Sequence, residues 1–226
     1  MPILLAVGYA LLMWRFSMWR TTRALDQQST PLTDPSIARL TDRMARALDI
    51  PTIKVHVYEV EPVNGLAAPD GRIFLTRGFL NRKARGEVSA EELASVIAHE
   101  LGHVALGHTR RRMIDFTGQN AVFVMLSALL NRFIPFVGVW IANLISTALM
   151  ARMSRRDEFE ADAYASALLM KSGIGTAPQK SLFRKLDALT KGGGQGIPAW
   201  LLSHPHTADR IAAIEASEAR WSQAVD

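Results

Sequence analysis

The chain has 226 residues, enough for one catalytic domain with an adequate hydrophobic core. Cysteine is absent, so a disulfide framework is excluded, and the net charge of +5 is only modestly basic. The arginines adjoin apolar segments and do not alternate with aromatic residues. This pattern favours membrane flanks and argues against a nucleic-acid partner.

The N-terminal segment is the first predicted element. Residues 2–14 are almost wholly apolar, and residues 16–19 extend the run to about eighteen positions, close to the minimum for a membrane-spanning helix. Tryptophan and arginine side chains cluster at its end, as they do at membrane interfaces. We predict a membrane anchor over residues 1–24, and a buried or interfacial helix is the alternative.

The next part of the chain predicts one helix and two strands. Apolar residues recur at helical spacing after Asp34 and Pro35, which are typical of a helix start, and residues 26–33 before them form a polar linker. Alternating apolar and polar residues predict strands over residues 53–58 and 72–76, with a Pro-Asp-Gly turn between them.

The stretch VIAHELGHVALGH carries the most specific motif, H-E-x-x-H at His99, Glu100 and His103. Ser89 and Glu92 form a capping box that defines the start of its helix. Two histidines four residues apart share one helix face, so both imidazoles can reach a single cation. Imidazole suits Zn²⁺, and a catalytic zinc takes three protein ligands and leaves one position for water. Glu100 is placed to act as the base that takes a proton from that water.

Two segments offer a third metal ligand. His108 follows His103, but it does not fit the longer pattern H-E-x-x-H-x-x-G-x-x-H, and we expect it near the helix end beside the C-terminal dipole. Glu158 and Asp162 share an alanine-rich helix face, so Glu158 can bind the metal while Asp162 hydrogen-bonds a ligand histidine. Glu160, rotated by about 200° from Glu158, should face away.

The region between the two metal motifs, residues 113–151, predicts an apolar helical hairpin insert. Its apolar runs, residues 121–130 and 133–151, are separated by Asn131 and Arg132, and arginines flank both outer ends. A transmembrane hairpin with both ends on the cytoplasmic side fits the positive-inside rule, and the arginines after the N-terminal segment give the same orientation. The alternative is a pair of helices that cap the domain or associate peripherally with a membrane.

The C-terminal part predicts two further helices. Thr176 and Gln179 form a capping box for the first, a glycine-rich loop over residues 191–196 follows, and Thr207 starts the second.

Four segments of the chain resemble one known family. HELGH, followed from Ser154 by SRRDEFEAD, is similar to the signature of the gluzincin metallopeptidases that include the HtpX-like membrane proteases and the CAAX prenyl endopeptidases. VNGLAAPDGRIFLTRGFL over residues 63–80 and SHPHTADRI over residues 203–211 resemble two further segments of that family, in the right order. The main departure is Gly65, where alanine is usual.

The resemblance implies a role for each matching residue in the metal site. It makes His99, His103 and Glu158 the zinc ligands, Glu100 the catalytic base, and Asp162 the residue that supports a ligand.

The resemblance also places residues around the metal. Arg210 is expected near the supporting acid. The strand over residues 72–76 is expected to border the cleft and to pair through its backbone with extended substrate, and Asn64, Ala67 and Ala68 are expected at the substrate-binding edge. His204 is expected at the site without completing the metal shell, where it would donate a hydrogen bond to the developing oxyanion.

Together these observations predict an α+β fold: a mostly α-helical, zincin-type metallopeptidase domain over residues 25–226, with a small β-sheet and transmembrane segments. The predicted function is hydrolysis of peptide bonds with one Zn²⁺ per chain. Unfolded or flexible polypeptides are the expected substrates and the lipid bilayer the second partner. The resemblance suggests membrane-protein quality control at the inner (cytoplasmic) membrane, with the active site facing the cytoplasm. The alternatives are a CAAX-type processing peptidase and a non-catalytic zinc-binding membrane scaffold.

Overall fold

The computed structural model describes most of the predicted catalytic domain. The described residues are 12, 15–16, 19–20, 22–68, 70–108, 123–124, 127, 129–134, 137–191 and 207–223. The strands are β1 (Ser29–Pro31), β2 (Val55–Tyr58), β3 (Gly65–Ala67) and β4 (Ile73–Thr76). The helices are α1 (Pro35–Ala47), α2 (Arg77–Ala84), α3 (Ala90–Ala105), α4 (Val137–Lys171), α5 (Ala177–Lys191) and α6 (Thr207–Gln223). A mostly helical chain with one small sheet confirms the predicted α+β class.

The sheet has four strands in the order β1-β2-β4-β3. The two central strands, β2 and β4, run parallel, and each edge strand is antiparallel to its neighbour. The prediction that residues 26–33 form only a polar linker is wrong, because β1 lies within them. Three half-buried or exposed residues ending in proline give no periodic signal, and the strand exists through its pairing with β2.

Helix α3 lies at the centre of the fold and is buried along most of its length, from Glu92 to His103. The predicted capping box at its start is confirmed: the Ser89 hydroxyl accepts from the Glu92 N–H at 3.1 Å, and the Glu92 carboxylate accepts from the Ser89 N–H at 2.8 Å. Helices α1, α4 and α5 pack against α3, and β3 crosses it. Because water cannot solvate its polar side chains, each needs a partner from a neighbouring element.

Helices α3 and α4 approach each other closely at Gly102. A Cβ atom at this position would lie 2.9 Å from the carbonyl oxygen of Ala161 and 3.0 Å from its Cα. The missing side chain therefore allows α4 to lie against α3 at the level where α4 carries Glu158 and Asp162 and α3 carries its two motif histidines.

Helix α4 is continuous from Val137 to Lys171, so the second half of the predicted insert 113–151 runs without a break into the metal-binding segment. Several large apolar side chains of this region are solvent-exposed, among them Phe133, Trp140 and Leu144. No helix within the described ranges is both long and apolar enough to cross a membrane. Most of residues 1–24 and 113–122 lie outside the described residues.

The cap predicted for α1 is confirmed, and the capping box predicted for α5 is not. Asp34 caps α1 by accepting from the N–H groups of Ser36 and Ile37, as predicted. The capping box predicted for α5 is wrong: the Thr176 hydroxyl donates to Glu218, and the Gln179 side chain turns into the core.

Candidate active site and metal centre

Three buried side chains from α3 and α4 converge on one point. The Nε2 atoms of His99 and His103 are 3.1 Å apart, and the Glu158 carboxylate oxygens lie 3.4 Å from the first and 3.5 Å from the second. In a tetrahedral zinc site with bonds of about 2.0–2.2 Å, neighbouring ligand atoms are separated by about 3.3 Å. The observed spacing fits that arrangement closely, and two imidazoles with one carboxylate are a donor set that zinc accepts. The structure thus brings together the three ligands predicted from the sequence.

A buried acid–base pair supports the first histidine. Nδ1 of His99 lies 2.9 Å from Oδ1 of Asp162, and the Arg210 guanidinium donates to both oxygens of that carboxylate, at 2.7 Å to Oδ1. Burial alone would raise the pKa of Asp162, but the charge and hydrogen bonds of Arg210 hold it below the ordinary value. The ionised Asp162 accepts a hydrogen bond from the Nδ1–H of His99, which leaves the Nε2 lone pair for a metal.

Further contacts hold this pair in place. Arg210 is fully buried, and its guanidinium carbon lies 4.4 Å from the ring centroid of Phe183. Gln179, which was predicted to cap a helix, instead places Oε1 2.8 Å from the Ser166 hydroxyl, whose single hydrogen it shares with the Asp162 carbonyl oxygen at the same distance. Nothing in the local sequence of α5 distinguishes this role, because the contact depends on how α5 packs against α4.

The protonation of His99 in the metal-free site follows from these neighbours. Burial disfavours the imidazolium ion, but hydrogen bonds to Asp162 and Glu158 outweigh it and raise the pKa of His99 to about 9. At neutral pH a proton therefore occupies the ring nitrogen that a metal would use.

Glu100 is buried next to His99 on α3, and β3 crosses the helix at its level. A Cβ atom at Gly65 would lie 2.5 Å from Cγ1 of Val96 and 3.4 Å from Oε1 of Glu100. The glycine that departs from the family pattern thus permits a close approach between the cleft strand and the helix that carries the predicted base.

The prediction that the strand over residues 72–76 pairs with substrate is wrong, because β4 is paired on one side with β2 and on the other with β3. Strand β3 is an edge strand, and its pairing with β4 determines which backbone groups are available. The Thr76 N–H donates to the Asn64 carbonyl at 3.0 Å, and the Ala68 N–H donates to the Arg72 carbonyl at 2.8 Å. Because hydrogen-bonded residues alternate in an antiparallel pair, Gly65 and Ala67 direct their N–H and C=O groups away from β4.

The predicted substrate edge therefore divides into two kinds of residue. Asn64 and Ala68 use backbone groups to pair with the β4 side, whereas Ala67, together with Gly65, faces the open edge. Within the described part of the chain, the side-chain Oδ1 of Asn64 is buried without a hydrogen-bond partner. His204 lies outside the described residues, so its role at the oxyanion stays a prediction.

His108 lies just beyond the end of α3, as predicted, but its burial and its contact with His103 were not predicted. It is fully buried, and its Nδ1 lies 2.9 Å from Nδ1 of His103. Gly107, with a φ of 67°, follows the C-cap Leu106 and reverses the chain. In such a C-terminal motif, the residue after the glycine packs against the residue three positions before the cap, which here is His103. The Gly-His pair in the sequence could therefore have predicted the contact between His108 and His103.

Residues 31–218 match the profile of Peptidase family M48, most of the length of the chain. The chain belongs to peptidase family M48. Metalloprotease LoiP of Escherichia coli is 32% identical over 158 residues, which cover 70% of this M48 chain and 60% of LoiP. A Protease HtpX homolog of Gemmatimonas aurantiaca is 25% identical over 257 residues, which cover 96% of this chain and 88% of that homolog. The mitochondrial metalloendopeptidase OMA1 of Homo sapiens is 24% identical over 175 residues, which cover 72% of this chain and 33% of OMA1.

The family assignment confirms the resemblance to HtpX-like metallopeptidases found in the sequence. The family is described as one of peptidases, LoiP and OMA1 are named as a metalloprotease and a metalloendopeptidase, and a metal at His99, His103 and Glu158 agrees with those descriptions.

Zinc affinity of this M48 chain should depend on pH, because the proton on His99 competes with the metal. Below the pKa of about 9, binding must release at least this proton, so affinity should rise about tenfold or more per pH unit from pH 7 and level off above 9. Chelator competition at several pH values, with calorimetry in buffers of different ionisation enthalpy, measures both the slope and the proton release. A constant affinity between pH 7 and 9 would contradict the assignment of the proton.

Gly65→Ala should slow turnover without removing the metal. The added Cβ collides with Val96, so β3 must move relative to Glu100, and a displacement of this kind costs about 10- to 100-fold in kcat/KM. Adding Val96→Ala removes the colliding Cγ1 atom and should restore most of the activity. If the double variant is as slow as Gly65→Ala alone, the close approach is not the cause.

Proposed function

We propose that this M48 chain is a zinc-dependent endopeptidase that holds one Zn²⁺ through His99, His103 and Glu158 and uses Glu100 as its base. One observation carries the proposal: the Nε2 atoms of His99 and His103 are 3.1 Å apart, and each lies within 3.5 Å of a Glu158 carboxylate oxygen, beside the buried carboxylate of Glu100.

The bound metal would supply a Lewis acid that polarises the substrate carbonyl and lowers the pKa of the attacking water. Glu100 accepts a proton from that water and returns it to the departing amine nitrogen. Asp162 keeps the proton of His99 on Nδ1, which fixes the imidazole tautomer and orientation. The burial of these residues excludes bulk water and strengthens their electrostatic interactions.

Strand β3 supports the choice of an extended polypeptide as the substrate. A peptide that pairs with the outward groups of Gly65 and Ala67 must itself be a strand, and its scissile bond is then carried past Glu100. A folded protein cannot present its backbone in this way, so the substrates are unfolded or flexible segments. We include in the proposal a role in quality control of membrane or misfolded proteins.

We also propose that the chain contacts a lipid bilayer through the region that precedes the metal-binding part of α4. Phe133, Trp140 and Leu144 are each at least 71% exposed, which is unusual for large apolar side chains. Exposed arginines lie at both ends of this surface, at Arg132 and Arg155. Apolar side chains with basic neighbours match the boundary between acyl chains and anionic headgroups.

The base assignment is tested by Glu100→Gln. The amide keeps the shape and hydrogen-bonding capacity of the side chain but cannot accept the proton, so kcat should fall by about 10²- to 10⁴-fold while zinc content stays at one per chain. Cleavage of casein and metal analysis of detergent-purified protein provide the two measurements. Glu91→Gln, an exposed residue of the same helix, is the matched control and should leave both unchanged. Near-normal cleavage by Glu100→Gln would refute the mechanism, and zinc-loaded wild type without any cleavage would instead make the chain a scaffold.

The bilayer contact is tested by flotation with vesicles of phosphatidylethanolamine and phosphatidylglycerol. Replacing both Trp140 and Leu144 by serine should reduce vesicle binding at least about tenfold, because burial of one such side chain contributes about 1.5–3 kcal/mol. Met170→Ser, at an exposed apolar position nearer the other end of α4, is the control and should float like the wild type. Wild-type protein that stays unbound would overturn the bilayer contact.

A further inference from the structure

The second ligand histidine has a buried hydrogen-bonded partner of its own. Nδ1 of His103 faces Nδ1 of His108 at 2.9 Å, and Nε2 of His108 lies 3.2 Å from Oε2 of Glu160 on α4. Arg156 donates to the other oxygen of Glu160 at 2.8 Å. The two supports of the metal site are therefore built differently, since His99 rests on a buried carboxylate and His103 rests on a second imidazole.

The positions of the imidazole protons determine which histidine donates the hydrogen bond in this contact. If His103 binds a metal through Nε2, its Nδ1 carries the proton and donates it, so Nδ1 of His108 must be the acceptor. A neutral His108 then carries its own proton on Nε2, which points at Glu160. Oε2 of Glu160 is the acceptor within reach of that nitrogen, and Oε1 of the same carboxylate accepts from Arg156. Each facing nitrogen or oxygen atom of His103, His108 and Glu160 is thus either a donor or an acceptor that matches its neighbour.

We propose that the His108–Glu160 pair positions His103 as a zinc ligand by fixing its tautomer and ring orientation. The inference rests on the proposed zinc site and adds positioning residues that no ligand motif identifies. Outer partners of this kind change metal affinity by about 10- to 100-fold when they are removed.

The same side chains form a rival arrangement. His108, Asp157 and Glu160 offer ligand atoms close enough for a second cation, with Oδ1 of Asp157 lying 3.8 Å from Nε2 of His108. A cation on Nε2 would leave the His108 proton on Nδ1, facing Nδ1 of His103. His103 would then have to accept there while binding zinc on Nε2, which requires it to lose its last proton. The two sites therefore exclude each other while both imidazoles remain neutral.

Two substitutions of nearly equal size separate positioning from packing. His108→Leu removes the acceptor, whereas His108→Asn places a carboxamide oxygen where Nδ1 of the imidazole was. If His108 only fills space, the apolar leucine is the better substitute for a buried site, because an amide without full hydrogen bonding is costly there. If His108 positions His103, the order is reversed and asparagine retains the higher zinc affinity.

The experiment measures zinc affinity of the full chain by chelator competition and the visible spectrum of the cobalt-substituted protein. His108→Leu should bind zinc about 10- to 100-fold more weakly than wild type, with an altered cobalt spectrum, and His108→Asn should recover most of both. If His108→Leu does not fold, the same comparison is made at the half-buried Glu160, between the variants Glu160→Leu and Glu160→Gln. His56→Leu, which removes a histidine from the sheet, is the control and should change neither reading.

The outcomes distinguish this inference from the function on which it rests. Wild-type protein that binds no zinc, or a Glu158→Ala variant that keeps it, would refute the metal site itself. Normal zinc binding by His108→Leu in a chain that depends on Glu158 would refute the positioning role alone. Two zinc ions per wild-type chain, with the second lost in His108→Leu, would also overturn it in favour of the rival site.

Discussion

The burial of charge around α3 is the constraint on which the rest of the structure depends. Three carboxylates, those of Glu100, Glu158 and Asp162, and one guanidinium, that of Arg210, are at most 3% exposed. Once ionised, the four groups carry a net charge of two negative units away from bulk water, and such a charge is costly unless it is compensated. A divalent cation would supply the missing charge. In its absence the raised pKa of His99 supplies part of it, because the protonated imidazole is a positive charge in contact with two of the carboxylates.

This compensation connects parts of the chain that are far apart in sequence. Arg210 belongs to α6, Asp162 to α4 and His99 to α3, so their hydrogen-bonded row ties the C-terminal helix to the centre of the fold. The stacking of Arg210 on Phe183 brings α5 into the same arrangement. Loss of the docking of α6 would therefore leave the Asp162 carboxylate without its cation. Docking of α6 and the orientation of His99 are therefore coupled through Asp162.

The parts of the site that were predictable from the sequence are those set by helix geometry. His99 with His103, and Glu158 with Asp162, are pairs at a spacing of four, and a helix places such pairs on one face whatever surrounds it. His108 could also have been placed, because the C′ glycine at position 107 fixes where the next residue points. Gln179 could not, since its contact with Ser166 depends on how two helices pack. Strand β1 was missed for a related reason: its three residues carry no pattern of their own, and β2 imposes their conformation.

The short length of β3 bears on what the site selects. The strand has three residues, and only Gly65 and Ala67 direct backbone groups outward. A glycine and an alanine offer almost no side-chain surface to a bound peptide, so the recognition they provide is recognition of backbone. Under the proposed function, backbone pairing would be the same for every sequence but possible only with an extended peptide, so local unfolding of the substrate would be the property that is recognised. The close approach at Gly65 would add a geometric condition, because the strand proposed to pair with the peptide lies against the helix that carries the proposed base. Substrate conformation and the position of the scissile bond would then both depend on the three residues of β3.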